Sequence, residues 1–437
     1  MANTSIRKTF SGNGNTKKWT LSWWEKKNKL GTVQRIFSCD EGGNNNHDDF
    51  FQWQTDDKLV MGFYDSGYYA NLTPDRNFRD TNGWYHFVMA VDTTQSTANN
   101  RVKLYVNGEQ IAVGDLEINN QPSQNADFAT VGVNSRAFEV GRMRYGSTPT
   151  NILFDGSMSH VHFTDGYTYA ASDFGSTDST TGEWKINTSP SVTYGTNGFF
   201  ILKDGNSVTD SSTNSNNFTV GGGTLTKTED CPSNVFATAN PLDQNGGMTF
   251  SEGNLSVAST SASWRSTRGT LGMTAGKYYW EVKAVNTSGA LLDASIGIAD
   301  FSLASQSEYS TANPALAYNA GDGSKSFNGS NSSYGATYNV GDIIGVAFDA
   351  DNLTVEFFKN GTSQGSISTG WSSGITWTPI ISLYGRYNNT KASFNFGNGY
   401  FGTTAVSSAG TNASGNGIFE YDVPTGYTAL STKGLNS

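Results

Sequence analysis

Gly341 to Gly361 reads GDIIGVAFDADNLTVEFFKNG, and its pattern decides the fold class. Ile343, Ile344, Val346, Ala347 and Phe348 form a short apolar run that stops at Asp349, Asp351 and Asn352. In the next run Leu353, Val355 and Phe357 alternate with Thr354, Glu356 and Phe358. Alternation with a period of two sends the first set to one face, as in a strand packed on a core from one side. Asn360-Gly361 then supplies two residues that tolerate positive φ in a type I′ hairpin. Arg101 to Val113, RVKLYVNGEQIAV, repeats the device, with Val102, Leu104 and Val106 ahead of Asn107-Gly108.

A chain of 437 residues is expected to hold more than one core. Its 50 glycines and 13% aromatic content suit many short strands joined by tight turns, and 15% charged residues are too few for a charged-helix or coiled-coil protein. The expected class is all-β: two antiparallel β-sandwich (jelly-roll) modules joined by an irregular, partly ordered connector. The boundaries read as 1–180, a connector 181–248, a second module 249–400 and a C-terminal extension 401–437. Within the connector GEWKIN and GTNGFFILKDGNS read as short strands, and Phe199 to Leu202 set it apart from a plain Gly/Ser linker.

A net charge of −10 and a pI near 4.9 argue against a nucleic-acid partner, which needs clustered Lys and Arg. Lys17-Lys18 and Lys26-Lys27-Asn28-Lys29 are expected on the solvated face and edge of a strand. Cys39 and Cys231 lie in polar turn regions and do not make a disulfide framework; free thiols are expected. MANTSIRKTFSGNG lacks an apolar h-region, and no run approaches a bilayer span, so neither export by a signal peptide nor membrane insertion is expected.

The strand WTLSWW (Trp19 to Trp24), the strand GWYHFVMAVD (Gly83 to Asp92) just before VKLYVNGEQI, and the closing FDGSMSHVHF resemble the laminin G/concanavalin A-like family. That resemblance spans about the first 165 residues and implies a jelly-roll sandwich widely used for carbohydrate binding. GKYYWEVKAV (Gly276 to Val285), SIGIAD (Ser295 to Asp300) and GDIIGVAFD leading to FFKNG resemble a SPRY domain. The SPRY resemblance implies a binding sandwich without chemistry of its own. The combination, together with Asn240-Pro241-Leu242-Asp243 and YDVPTGY (Tyr421 to Tyr427), resembles virion proteins of tailed phages. It implies assembly in the host cytoplasm, residence in the virion, and contact with other virion proteins and with host surface polysaccharide. Further copies of the same chain are expected as partners, a trimer among the options.

Concanavalin-like hydrolases carry an acid and a nucleophile on alternate positions of one strand. No Glu-x-Asp-x-Glu occurs, and Glu420-Tyr421-Asp422 is the nearest echo, so no enzyme is expected. His160 and His162 are spaced to share a strand face, where they could chelate a metal or sit as a hydrogen-bonded pair. Asp40, Glu41, Asp48 and Asp49 fall in the acidic stretch CDEGGNNNHDD, which reads as a calcium site or as a solvated loop. For glycan binding, a flat aromatic face flanked by Asp, Asn and Arg is the useful chemistry. Two loops have that composition: Tyr64, Asp65, Tyr68, Tyr69 and Asn71 in the first, Tyr384, Arg386, Tyr387 and Asn388 in the second. Tyr and Arg are also enriched at protein interfaces. Two functions are therefore expected to compete: a tail-fibre or tail-associated adhesin for host glycan, and an architectural virion protein such as a capsid decoration.

Overall fold

Both Asn-Gly pairs turn as the sequence requires. Asn107 and Gly108 have φ values of 48° and 87°, and Asn360 and Gly361 of 48° and 77°, the left-handed pair of a two-residue type I′ loop. A computed structural model describes residues 4–436, apart from 41–46, 146–147, 204–206, 287–292, 307 and 386–389. The chain is nearly all β and consists of antiparallel sheets. It divides into two units, Met1–Lys227 and Thr228–Ser437. Among the described residues no helix is long and apolar enough to cross a membrane.

The first unit packs two sheets face to face. One has eight strands in the order Leu116–Asn120, Tyr68–Pro74, Leu59–Asp65, His47–Trp53, Gln34–Asp40, Ala137–Val140, Ser5–Thr9, Thr219–Gly222. The other has six: Phe199–Ile201, Gly156–Asp165, Lys18–Lys27, Tyr85–Asp92, Val102–Val106, Glu109–Gln110. Alternation along WTLSWW aims Trp19, Leu21 and Trp23 at a shared core with Phe37, Phe51 and Phe87. Burying an aliphatic or Phe side chain of this kind stabilises by roughly 1.5–3 kcal/mol relative to exposure.

The six-stranded sheet is buried on its other face as well, as the double-sided pattern of GWYHFVMAVD predicts. Val88 packs there with Ala171 and Phe174. Tyr169 donates its backbone amide to Thr20 Oγ1 at 2.9 Å. Trp184 reaches His86 Nδ1 at 3.0 Å, while Ser22 Oγ meets His86 Nε2 at 2.9 Å. Burial pushes the His86 imidazole down to about 3, so it stays neutral.

Lys26 and Lys27 are buried, contrary to the expected solvated edge. Lys27 turns inward because it meets a counter-charge. Its ammonium lies 3.0 Å from Asp57 Oδ1 and 3.0 Å from the Phe78 carbonyl, and 4.1 Å from the Trp53 ring centre. Beside it Glu25 accepts the indole N–H of Trp23 and of Trp53, each at 2.8 Å. Burial raises the Glu25 carboxyl to about 7. Cys39 is likewise no turn residue: it lies buried in the strand Gln34–Asp40, and neither Cys39 nor Cys231 forms a disulfide.

The stretch 181–248 is shared out between the two units. Phe199–Ile201 pairs with Gly156–Asp165, and Thr219–Gly222 pairs with Ser5–Thr9, both in the first unit. Ala239–Gln244 forms an edge strand of the second.

The second unit is again two sheets. The strands Ala239–Gln244, Trp264–Gly269, Trp377–Tyr384, Ala294–Asp300, Ala315–Asn319, Ser324–Phe327 and Ser330–Ser333 form one, in that order. The order Met248–Ser251, Ser256–Ser259, Thr390–Asn395, Lys277–Asn286, Ile343–Asp349, Thr354–Lys359, Thr362–Ser368 forms the other. Phe348 stands opposite Val355, and Val346 opposite Phe357. Leu353 departs from the expected alternation: it turns at φ 53°, and the strand starts after it.

Tyr279 and Glu281, on the outward positions of Lys277–Asn286, are also buried. The residues after 400 cover them. Glu281 accepts the backbone amides of Glu420 and Tyr421, each at 2.9 Å, and Thr428–Ala429 adds in parallel beside Tyr278 and Tyr279.

Candidate functional site

Register across the eight-stranded sheet determines which side chains meet on its outer face. Asp48, Tyr64 and Tyr68 form one row, and Ser38, Phe50, Gly62 and Asn71 the next. The row Asp49, Phe63 and Ala70 faces the core. A register break between Phe63 and Tyr64 sets Tyr64 opposite Tyr68 across the turn at Ser66-Gly67.

These rows create an aromatic shelf. The rings of Tyr64 and Tyr68 meet edge to face with centroids 5.4 Å apart, and Tyr68 lies 6.4 Å from Phe50. Gly62 makes the shelf flat. A Cβ there would fall 2.4 Å from Phe50 Cζ and 3.0 Å from Tyr68 Cε1, so any other residue would lift the rings off the sheet. Arg35 closes one side: its guanidinium carbon lies 4.2 Å from the Phe50 ring centre, and Nη1 lies 3.1 Å from Asp48 Oδ2. Tyr68 remains 52% exposed, the largest exposure among the tyrosines of this hairpin. Asn71 Oδ1 is shielded from solvent and takes no hydrogen bond from any described residue. An exposed ring beside a partly exposed carboxylate on one face can bind a polyhydroxylated ligand through its C–H surface and its hydroxyls.

The sequence-derived residues part company here. Tyr64, Asp65, Tyr68 and Asn71 lie on or beside the shelf. Tyr69 does not belong to it. Its hydroxyl donates to Asp49 Oδ1 at 2.8 Å and accepts the Ala129 amide at 3.1 Å, locking the hairpin to a neighbouring loop. Arg35 and Phe50, which sequence reading passed over, contribute because strand pairing places them beside residues elsewhere in the chain. In the second loop, Tyr384 packs against Trp264 with ring centroids 5.7 Å apart; Arg386, Tyr387 and Asn388 lie outside the described residues.

Asp48 and Asp49 follow one another on a strand and point to opposite faces. Asp48 pairs with Arg35, whereas Asp49 accepts Thr130 Oγ1 at 2.7 Å and the Thr130 amide at 3.1 Å. Burial raises the Asp49 carboxyl to about 6. Asp40 ends its strand, and Glu41 lies outside the described residues. Among the described residues no group of three or more His, Cys, Asp or Glu is placed to hold a metal ion.

His160 and His162 are separated by a register break, with His160 at φ 48°. His162 stacks on Phe200 with centroids 3.9 Å apart, and its Nδ1 meets the Tyr194 hydroxyl at 2.9 Å. Burial holds it well below its ordinary value, so it is neutral. His160 Nδ1 meets Ser159 Oγ at 2.7 Å. Glu420 binds the Ser407 amide at 2.8 Å, and Asp422 binds the Thr411 amide at 2.6 Å; both carboxylates tie loops together.

Residues 3–163 match the family model of the concanavalin A-like lectin/glucanases superfamily, and residues 277–399 match that of the SPRY domain. The chain thus carries one domain of each kind, both typically non-enzymatic binding modules. No curated protein matches. Among solved structures, the SPRY domain of human HERC1 is 19% identical, covering 36% of this chain and 96% of that one with a TM-score of 0.32. A heptameric SAP-like pentraxin from Limulus polyphemus is 14% identical, covering 51% of this chain and 90% of that one, also with a TM-score of 0.32.

Proposed function

We propose that this chain is a non-enzymatic adhesin on the surface of a tailed-phage virion, in a tail fibre or tail-associated assembly, and that its first unit binds host surface polysaccharide. The observation that carries the reading is the shelf: Tyr68 stands 52% exposed over Phe50, beside the Arg35–Asp48 pair. An aromatic ring held out of the core at a fixed angle sacrifices burial, and a ligand with an apolar face recovers it. The presence of two domains of kinds that are typically non-enzymatic binding modules supports adhesion over catalysis. A single shelf of this size binds weakly, and many copies on one particle raise the avidity without any new contact.

Biolayer interferometry on immobilised lipopolysaccharide and capsular polysaccharide tests the reading, using the full chain and its Tyr68→Ala variant. The expected result is binding by the wild type and at least a tenfold loss in the variant. If neither polysaccharide class binds at any loading density, the shelf is an interface for other virion proteins and the architectural reading replaces this one. Antibody-gold labelling of particles separates tail from capsid.

A further inference from the structure

The first unit has a cleft of about 660 Å³ formed where four segments meet. Asn13, Asn15, Thr16, Lys17, Asp127 and Tyr167 line it. None belongs to the aromatic shelf. We propose that this cleft is a second carbohydrate site that takes a neutral hexopyranose residue.

The cleft is built around Asp165, which is 5% exposed. Its carboxylate accepts the Asn15 amide at 2.5 Å and the Asn197 amide at 2.8 Å, joining the loops. Asn197 Nδ2 then donates to the carbonyls of Gly12 and Gly132, each at 2.7 Å. Glycines let the loops close on this anchor: a Cβ at Gly14 would fall 2.6 Å from Asp165 Oδ1, and one at Gly195 1.9 Å from the Asp165 carbonyl oxygen. The walls are therefore set before any ligand arrives, which lowers the entropy cost of binding.

The groups facing the cleft match a sugar. Asn15 Oδ1 is held by the amides of Lys17 and Lys18 at 3.0 and 2.9 Å, and Asn13 Oδ1 by the Asn134 amide at 3.0 Å. Both side chains are thereby oriented with their NH₂ groups as the remaining donors. Asp127 accepts Thr16 Oγ1 at 2.5 Å and keeps a side chain 64% exposed, an acceptor for hydroxyl protons. Tyr167 is 44% exposed, and Thr20 and Thr164 fix its carbonyl at 3.1 and 3.0 Å. Its ring stacks on Tyr169 and offers a flat surface for a sugar's C–H face. Lys17 and Asp127 lie 3.8 Å apart, so the exposed charges of the cleft cancel. A neutral polyol meets both, whereas an anionic sugar would meet the carboxylate.

Isothermal titration and saturation-transfer NMR on the full chain test the proposal. The probes are methyl α-D-glucopyranoside, methyl β-D-galactopyranoside and N-acetyl-D-glucosamine, with D-glucuronate as the charged comparison. At least one neutral probe is expected to bind, with Tyr167→Ala and Asp127→Asn each weakening it at least tenfold and Tyr68→Ala leaving it unchanged. Both substituted side chains are exposed, and thermal melting confirms that the variants fold. No binding by any neutral probe overturns the proposal, as does undiminished binding in both cleft variants or a preference for glucuronate. Binding lost in Tyr68→Ala but kept in the cleft variants also overturns it, while supporting the shelf.

Discussion

Glu281 holds Tyr421: its carboxylate takes the Tyr421 backbone amide at 2.9 Å, across 140 positions of sequence. The same carboxylate takes the Glu420 amide and Asn395 Nδ2. The residues after 400 are thereby fixed to the outer face of a central strand, and Phe419, Val423, Ala429 and Leu430 join the core. A fragment covering 228–399 leaves Glu281 and Tyr279 uncovered and lacks those apolar side chains. It is expected to be insoluble or molten, whereas 228–437 should give cooperative unfolding by circular dichroism. Equal cooperativity in the two fragments would show that the clasp is dispensable.

Buried carboxylates impose a pH dependence whose sign is fixed. Burial raises Glu281 and Glu25 from an ordinary 4.5 to about 7. Between those values each of these two carboxyls binds more protons in the folded state than in the unfolded one, so the stability they contribute falls as pH rises from about 4.5 to about 7, against the opposite slope of the buried His86 and His162. Glu25→Gln removes the share of this slope that Glu25 supplies to the first unit and leaves that of Asp49, raised from 3.8 to about 6. The difference in melting temperature between wild type and variant should shift against the wild type by several degrees over that range, because a proton held tenfold more tightly by the folded state is worth roughly 1.4 kcal/mol. A constant difference from pH 5 to pH 8 would mean that Glu25 keeps its ordinary titration.

Lys27 and Asp57 form a pair with side chains 0% and 5% exposed. Removing Lys27 leaves the buried Asp57 carboxylate with the more distant Arg79 at 3.5 Å and the Gly31 amide, and breaking a buried pair in this way costs about 3–5 kcal/mol. Lys27→Ala should therefore lower the urea midpoint of the first unit severely, while the double variant Lys27→Met/Asp57→Ala should recover a large share of the loss. A double variant no better than the single one would assign the loss to packing around Trp53.

Tyr68 and Tyr69 are neighbours with opposite tasks. Tyr69→Phe removes a hydroxyl that serves Asp49 and the Ala129 amide, and should cost about 1–3 kcal/mol while leaving glycan binding intact. Tyr68→Ala should have the reverse effect, with stability within about 0.5 kcal/mol of wild type. Chemical denaturation and polysaccharide binding on the same two proteins would expose any exchange of roles.

Much of this architecture could be read directly from the residues. Alternation around Val355 and Phe357, the Asn-Gly turns and the double-sided run at Tyr85 to Asp92 each depend on local geometry alone. What escaped depends on pairing at a distance. Nothing beside Lys27 announces Asp57, which is 30 residues away. Nothing in YDSGYYANLTPD says which of two adjacent tyrosines faces out, because a register break decides it. Phe50 and Arg35 joined the shelf through cross-strand pairing, and the cleft draws on segments near positions 15, 127, 166 and 195. A linear pattern holds no trace of such a meeting.

Closure by late residues also sets a timetable for synthesis. Ser5–Thr9 waits for Thr219–Gly222 as its edge partner, so the first unit can finish only once that point has left the ribosome. Glu281 waits longer. At ordinary elongation rates the 140 residues to Tyr421 take on the order of ten seconds, during which a carboxylate and the apolar face around it stay open to chaperones and proteases. A chain cut short anywhere in that interval keeps the Glu281 carboxylate without the two backbone amides that cover it.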